Sequence, residues 1–140
     1  MEKTLVLIKP DAVERNIIGN ILSYYENCGL KVVALRMEQV TRDFASLHYE
    51  VHKDKPFFKS LLDYITRSPL CALILEGENA VTTLRKVMGP TDSTQAAPDT
   101  IRGKFGTDKS TNAIHGSDSV ENAQIEIKRF FGGRERKRNN

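Results

Sequence analysis

The fold is decided first by the stretch Thr4-Leu5-Val6-Leu7-Ile8-Lys9-Pro10. Its apolar run is short, and Pro10 disfavours helical backbone in the residue before it. The pattern therefore predicts a buried strand that ends at Lys9. A lysine at the end of a buried strand is not on an ordinary exposed face.

Outward from this strand, helical and strand patterns alternate. Apolar residues from Ile18 to Tyr25 recur at helical spacing, and Gly29 lies where a C-terminal cap is expected. A strand over 31–40 follows, and Thr41 is a suitable N-cap for a helix that runs to about His52.

The same patterns continue to the end of the chain. They predict a helix over 57–65, a strand over 70–75, a helix over 80–88, a loop over 91–111, a strand over 113–115 and a helix over 119–131. The order βαββαβ indicates an α+β, ferredoxin-like sandwich: a four-stranded antiparallel sheet with covering helices on one face and extra helices inserted. We expect one domain over 1–131 and a basic, mobile tail over 132–140.

Composition narrows the class of protein. A chain of 140 residues with 39% hydrophobic residues and a net charge of +3 can build one core, and its charge does not demand a nucleic-acid partner. No run approaches the roughly 20 apolar residues that cross a bilayer, and the first apolar run is too short for a signal peptide. We expect a cytoplasmic protein in which Cys28 and Cys71 are free thiols.

The stretch Asn112-Ala113-Ile114-His115-Gly116-Ser117-Asp118 carries the candidate chemistry. In an extended segment His115 and Ser117 point to the same side. A neutral imidazole is a competent nucleophile, and a carboxylate such as Glu126 can hold its other ring nitrogen. Taken alone, His115 is better explained as a satisfied core histidine than as a site residue.

This stretch resembles the active-site signature of nucleoside diphosphate kinases. Further likenesses to that family lie in order along the chain: the opening strand and lysine turn at 4–11, the nucleotide-binding helical hairpin at 48–49 and 55–58, and phosphate loops at 88–91 and 100–103. The resemblance covers residues 3–131. Several motifs in the family's order carry far more weight than a lone histidine.

The resemblance implies the site. His115 would become phosphorylated on its pros nitrogen, Nδ1, with Glu126, Ser117, Tyr49 and Lys9 assisting. The residues expected to bind the nucleotide are Lys9, Phe57, Arg85, Thr91, Arg102, Asn112 and His52. Guanidinium groups and a hydroxyl suit phosphate oxygens, although by spacing alone Arg85 reads as a surface residue.

Other details are also implied by the resemblance. Phe57 would stack on any nucleotide base, while Phe58 shares helical spacing with core residues. The cofactor would be Mg²⁺, held mainly by substrate phosphates with Asp118 acting through water. Two positions depart from the family's common pattern: Thr111, where many members have arginine, and Lys109, near where many have an apolar residue.

The implied activity is ping-pong transfer of the γ-phosphate of ATP to a nucleoside diphosphate, which maintains NTP and dNTP pools. The resemblance also implies a homo-oligomer, with a hexamer favoured over a tetramer and no membrane partner. The alternative is a non-catalytic regulatory or nucleic-acid-binding protein of the same fold that works through the basic tail.

Overall fold

The structure is a computed structural model and describes residues 1–109 and 111–132. Of the predicted tail over 132–140, only Gly132 lies within the described residues. The elements in chain order are β1 (Glu2–Ile8), α1 (Pro10–Glu14), α2 (Ile18–Asn27), β2 (Lys31–Glu38), α3 (Arg42–His48), α4 (Phe58–Thr66), β3 (Leu70–Gly77), α5 (Ala80–Met88), α6 (Ile101–Phe105), β4 (Ile114–Gly116) and α7 (Val120–Phe131).

The four strands form one antiparallel sheet in the order β2-β3-β1-β4. This confirms the predicted α+β, ferredoxin-like class. β1 lies between β3 and β4, and its residues from Thr4 to Ile8 are fully buried. Leu7 faces Ala72 on one side and His115 on the other, so the central strand fixes the position of the candidate nucleophile.

Both faces of the sheet are covered. Val6 and Ile8 pack in a core with residues of α2 and α5, whereas Leu5 and Leu7 pack in a second core with residues of α3, α4 and α7. The expectation of helices on one face was therefore wrong in this detail. A strand without polar alternation must bury both of its faces, and the inserted helices and α7 cover the second one.

Predicted helix caps account for several boundaries. The hydroxyl of Thr41 accepts a hydrogen bond from the backbone N–H of Phe44 at 3.1 Å, which starts α3. Gly29 follows α2 with a φ of +89°, a conformation that glycine adopts without steric cost. The helix after Thr41 ends at His48, and a short 3-10 turn over Glu50–His52 replaces its predicted last turn.

Two short helices, α1 and α6, were not predicted from the sequence. α1 begins at Pro10, the residue that stops β1, because proline fits the first position of a helix. α6 lies inside the predicted loop over 91–111, and its cap Thr100 accepts from the N–H of Gly103 at 3.0 Å. A Cβ on Gly103 would lie 1.9 Å from the carbonyl oxygen of Ala97, so only glycine lets α6 pack this closely.

Within residues 1–109 and 111–132, no helix is long and apolar enough to span a membrane. Cys71 is buried, Cys28 is partly buried, and both are free thiols, as expected.

Candidate active site

Every predicted site residue except Ser117 lines one cleft of about 580 Å³. The cleft lies where the ends of β1 and β4 meet the helical hairpin of α3 and α4, the end of α5, and α6. The residues that line it are Lys9, Tyr49, His52, Phe57, Leu61, Arg85, Thr91, Arg102, Lys109, Asn112, His115, Gly116, Asp118 and Glu126.

His115 lies at the middle of β4 and faces the core that includes α3 and α7, because it is paired with Leu7. Its Nε2 atom lies 2.8 Å from Oε1 of Glu126 on α7. Its Nδ1 atom has no hydrogen-bond partner among the described residues. With 23% of its side chain exposed, His115 is open to the cleft and is not a fully enclosed core histidine.

Ser117 contacts Glu126 and does not line the cleft. Its side chain is 1% exposed, and its hydroxyl donates to Oε1 of Glu126 at 2.7 Å. Burial alone would raise the pKa of Glu126, but the hydrogen bonds from His115 and Ser117 and the nearby imidazole charge lower that pKa to about 2. Glu126 is thus a carboxylate at neutral pH, and it accepts a hydrogen bond from the N–H at Nε2 of His115.

Lys9 and Asn112 form a second polar group, at the end of β1. The ammonium of Lys9 donates to Oδ1 of Asn112 at 3.0 Å, and the amide of Asn112 donates to the carbonyls of Thr91 and Lys109 at 3.0 and 2.8 Å. Burial, and then the charge of Arg102, lower the pKa of Lys9 to about 8, while Asp11 opposes the shift. Asn112 therefore links Lys9 to the loop that contains Thr91 and to the loop that contains Lys109, at the rim of the cleft.

Arg102 and Arg85 bring two guanidinium groups to the same cleft. Arg102 is 5% exposed and donates to the carbonyls of Gly89 and Ile114 at 3.3 and 2.9 Å. Burial, and then the charge of Arg85, lower its pKa to about 10, so it remains cationic at neutral pH. Arg85 is exposed, as its helical spacing suggested, but it donates to the carbonyl of Gly116 at 3.2 Å beside His115.

Aromatic rings form the other wall. Phe57 precedes α4 and is 46% exposed, whereas Phe58 packs against the core that contains Leu62. The ring of His52 lies between those of Phe57 and Tyr49, with centroid distances of 5.5 and 6.4 Å. Burial, and then the charge of Glu126, raise the pKa of Tyr49 to about 12, so its phenol remains a hydrogen-bond donor.

The structure adds His48, to which sequence reasoning gave no separate role although it stands beside Tyr49. Its ring meets that of His115 edge-on at 5.2 Å, and its Nδ1 accepts a hydrogen bond from Nη1 of Arg129 at 3.0 Å. Burial, and then the proximity of His115, lower the pKa of His48 to about 3, so its imidazole is neutral. No sequence spacing links residues 48, 115 and 129; only the packing of α3 on α7 does.

Asp118 is the exposed carboxylate of the cleft, and its Oδ1 accepts from the amide of Asn122 at 2.5 Å. The other cleft carboxylate, Glu126, is engaged by His115 and Ser117. One exposed carboxylate, beside several side chains that can donate to phosphate oxygens, fits a divalent metal ion that takes most of its ligands from phosphates and water. Of the two departures, Lys109 lines the cleft, and the N–H of Thr111 donates to Asp108 at 2.8 Å.

The cleft therefore places a candidate nucleophile beside a surface whose side chains can bind anions. The imidazole of His115 is held at one nitrogen by an ionised carboxylate, and two arginines, a lysine and an amide surround the space before it. Phosphoryl transfer needs little more than such positioning and charge.

Comparisons with known proteins agree with this chemistry. The family model described as nucleoside diphosphate kinase matches residues 2–136. Among individual proteins, the chain is similar to the nucleoside diphosphate kinase of Clostridium perfringens (strain SM101 / Type A), with 56% identity over 131 residues that span 94% of this chain and 92% of that protein.

Solved structures of nucleoside diphosphate kinases also match this chain. The nucleoside diphosphate kinase of Aquifex aeolicus superposes with a TM-score of 0.91 at 45% identity, covering 94% of this chain and 96% of the other. That of Halobacterium salinarum, solved in complex with CDP, superposes with a TM-score of 0.90 at 43% identity, covering 93% and 87%.

Proposed function

This chain belongs to the nucleoside diphosphate kinase family, and we propose that His115 carries the phosphoryl group between the two nucleotides of its reaction. The protein is a nucleotide-binding phosphotransferase. The family does not favour the alternative of a non-catalytic protein that acts through its tail, and the basic residues of that tail lie outside the described residues.

One observation carries the assignment to His115. The carboxylate of Glu126 holds Nε2 at 2.8 Å, so the proton of the neutral ring sits on Nε2 and the lone pair sits on Nδ1. His115 lines the cleft that contains the arginines. The phosphorylated atom would then be Nδ1, the pros nitrogen.

The two half-reactions balance at this atom. In the first, Nδ1 forms a bond to the γ-phosphorus of ATP, and the bond from that phosphorus to the bridging oxygen breaks with its electron pair on departing ADP. The ring keeps its proton on Nε2, and the carboxylate of Glu126 offsets the positive charge that develops. In the second, a terminal oxygen of a nucleoside diphosphate attacks the same phosphorus, and Nδ1 recovers its lone pair.

Arg85, Arg102 and Thr91 would bind the phosphates through forked N–H groups and a hydroxyl. Lys9 and Asn112 would serve both the ribose hydroxyls and the phosphates, and Tyr49 would donate near the transferred group. A bound Mg²⁺ would neutralise phosphate charge, with Asp118 reaching it through water. Because these contacts address phosphate and sugar, they suit donor and acceptor alike.

Phe57 supplies the wall on which a base stacks, beside His52. Every base has a flat face, so stacking selects nucleotides without selecting one base. The CDP in the Halobacterium salinarum structure supports a nucleoside diphosphate as acceptor. We propose that the protein is cytoplasmic and that it maintains NTP and dNTP pools there.

We also propose a homo-oligomer, with a hexamer favoured over a tetramer. β2 is an edge strand, and it exposes 41% of Val33, 47% of Leu35 and 48% of Met37. Alternating apolar side chains on an unpaired strand edge suit a protein partner better than solvent.

The test is transfer of label from ATP radiolabelled on its γ-phosphate. With Mg²⁺, wild-type protein should become labelled at an acid-labile site and pass the label to unlabelled GDP as GTP. His115→Ala should do neither while keeping the wild-type circular dichroism spectrum. Labelling of purified His115→Ala with subsequent transfer to GDP would refute the role of His115.

A further inference from the structure

We propose that His48, His115 and Glu126 form a binding site for a divalent transition metal of the zinc class, and that filling this site stops phosphoryl transfer. Each residue offers one ligand atom, and these atoms lie within 4.8 Å of one another. All three side chains are partly buried. The inhibition rests on the proposed role of His115, whereas metal binding itself does not.

The distances suit a small cation after a modest adjustment. Zinc binds imidazole nitrogen and carboxylate oxygen at about 2.0–2.2 Å, so tetrahedral ligand atoms lie roughly 3.3 Å apart. Nε2 of His115 and Oε1 of Glu126 lie 2.8 Å apart, so they must separate by roughly 0.5 Å, and the proton on Nε2 passes to Nδ1 or to solvent when the metal binds. Because no two of the ligand atoms are more than 4.8 Å apart, the widest pair must approach by at most roughly 1.5 Å, which side-chain rotation at the end of α3 can supply.

A route from solvent reaches the three residues. A second, smaller cavity of about 290 Å³ adjoins the nucleotide cleft, and all three ligands line it together with Asn122 and Arg129. Three protein ligands and an accessible cavity leave a fourth position for water, the arrangement typical of an open zinc site.

The types of ligand atom also distinguish the metal proposed here from the Mg²⁺ of the reaction. Two imidazoles and one carboxylate suit zinc, copper, nickel and cobalt, whereas magnesium prefers oxygen ligands and retains water. Magnesium at the concentration used for phosphotransfer is therefore not expected to displace the inhibitory metal.

Arg129 opposes binding and thereby limits the affinity. A guanidinium group only donates, so its 3.0 Å contact shows that Nδ1 of His48 is an acceptor and that Nε2 holds the proton. A metal at Nδ1 displaces Arg129, and a metal at Nε2 moves the proton to Nδ1 and breaks the same hydrogen bond. The positive charge of Arg129 acts in the same direction.

The experiment titrates nucleotide-free protein with Co²⁺, whose visible absorption reports a tetrahedral nitrogen-and-oxygen site independently of activity. Four proteins are compared: wild type, His48→Asn, His52→Asn and Arg129→Leu. We expect His48→Asn to weaken Co²⁺ binding by at least about 10-fold and Arg129→Leu to strengthen it several-fold. His52→Asn removes a histidine that is not one of the three proposed ligands, so it should leave Co²⁺ affinity unchanged.

Zn²⁺ is then added to the labelling reaction at fixed Mg²⁺ and ATP. The Zn²⁺ concentration that halves labelling should be higher for His48→Asn than for wild type, lower for Arg129→Leu, and unchanged for His52→Asn. Each variant is normalised to its own labelling rate without Zn²⁺. Equal Co²⁺ affinity in wild type and His48→Asn would overturn the site, and unchanged Zn²⁺ sensitivity in His48→Asn would overturn its inhibitory role.

The controls separate the possible failures. Absence of labelling in wild type without Zn²⁺ would contradict the proposed function, yet the Co²⁺ titration would still test the metal site. A misfolded protein can lose metal affinity but does not gain it, so stronger binding by Arg129→Leu supports the site, and weaker binding contradicts it.

Discussion

The two walls of the cleft are built in different ways. The wall formed by β4 and α7 holds His115 through partly buried hydrogen bonds among His115, Glu126 and Ser117. The wall formed by the hairpin of α3 and α4 presents Phe57 with 46% of its surface exposed and with ring contacts in place of hydrogen bonds. The proposed nucleophile is thus fixed by the sheet and α7, whereas the proposed base platform lies on an exposed hairpin.

This difference follows from what each wall must do. A nucleophile acts only when its lone pair points at phosphorus, so its tautomer and orientation need a fixed partner. A stacking ring needs only a flat face, and it can accept several bases because its position is not set by hydrogen bonds. Damage to the first wall should therefore lower kcat, and damage to the second should raise KM.

The largest effect is expected from Glu126→Ala. Removing the carboxylate releases Nε2 of His115 and leaves the developing charge without a partner, so kcat should fall by on the order of 10²–10⁴. KM should change little. Stopped-flow measurement of phosphohistidine formation checks this, with Glu121→Ala, an exposed acid on the same helix, as the matched control. A drop in kcat shared by both variants would remove the contrast between the walls.

A smaller effect is expected at the platform. Phe57→Ala should raise KM by roughly 5- to 150-fold through lost stacking, with kcat nearly unchanged at saturating nucleotide. Phe58→Ala provides the comparison: it should reduce the free energy of unfolding by about 2 kcal/mol, because Phe58 packs in the core, and should leave KM near the wild-type value. Steady-state kinetics measure KM, and thermal melts measure stability. A raised KM in Phe58→Ala together with lost stability in Phe57→Ala would contradict the assignment of the two rings.

The smallest effect concerns Lys9, which stands between the walls. Its pKa of about 8 lies below the ordinary value, so it is cationic below that pH and loses its charge as pH rises through it. A cation that binds phosphate should then give a kcat/KM that declines above about pH 8, reaching about a tenfold loss near pH 9. Lys9→Arg should lack this decline because guanidinium stays charged, and a wild-type profile flat to pH 10 would argue against a charged role for Lys9.

Local sequence patterns were sufficient for much of this protein. The run from Thr4 to Ile8 predicted the central strand, and Thr41 and Gly29 predicted helix boundaries that the structure confirms. α1 and α6 were missed because helices of five residues are too short to show a period. The family resemblance named the residues of the cleft, whose individual roles stay predictions.

Sequence by itself determined the order of the four strands and of the longer helices, and it determined the family, because these depend on spacing and residue type along the chain. It also supplied His115 as the proposed nucleophile. Only the tertiary structure decided that helices cover both faces of the sheet, that Ser117 supports Glu126 from a buried position, and that His48 and Arg129 meet behind His115. Those contacts join residues that are 9 to 81 positions apart. Packing places such side chains together, and no local pattern in the chain records it.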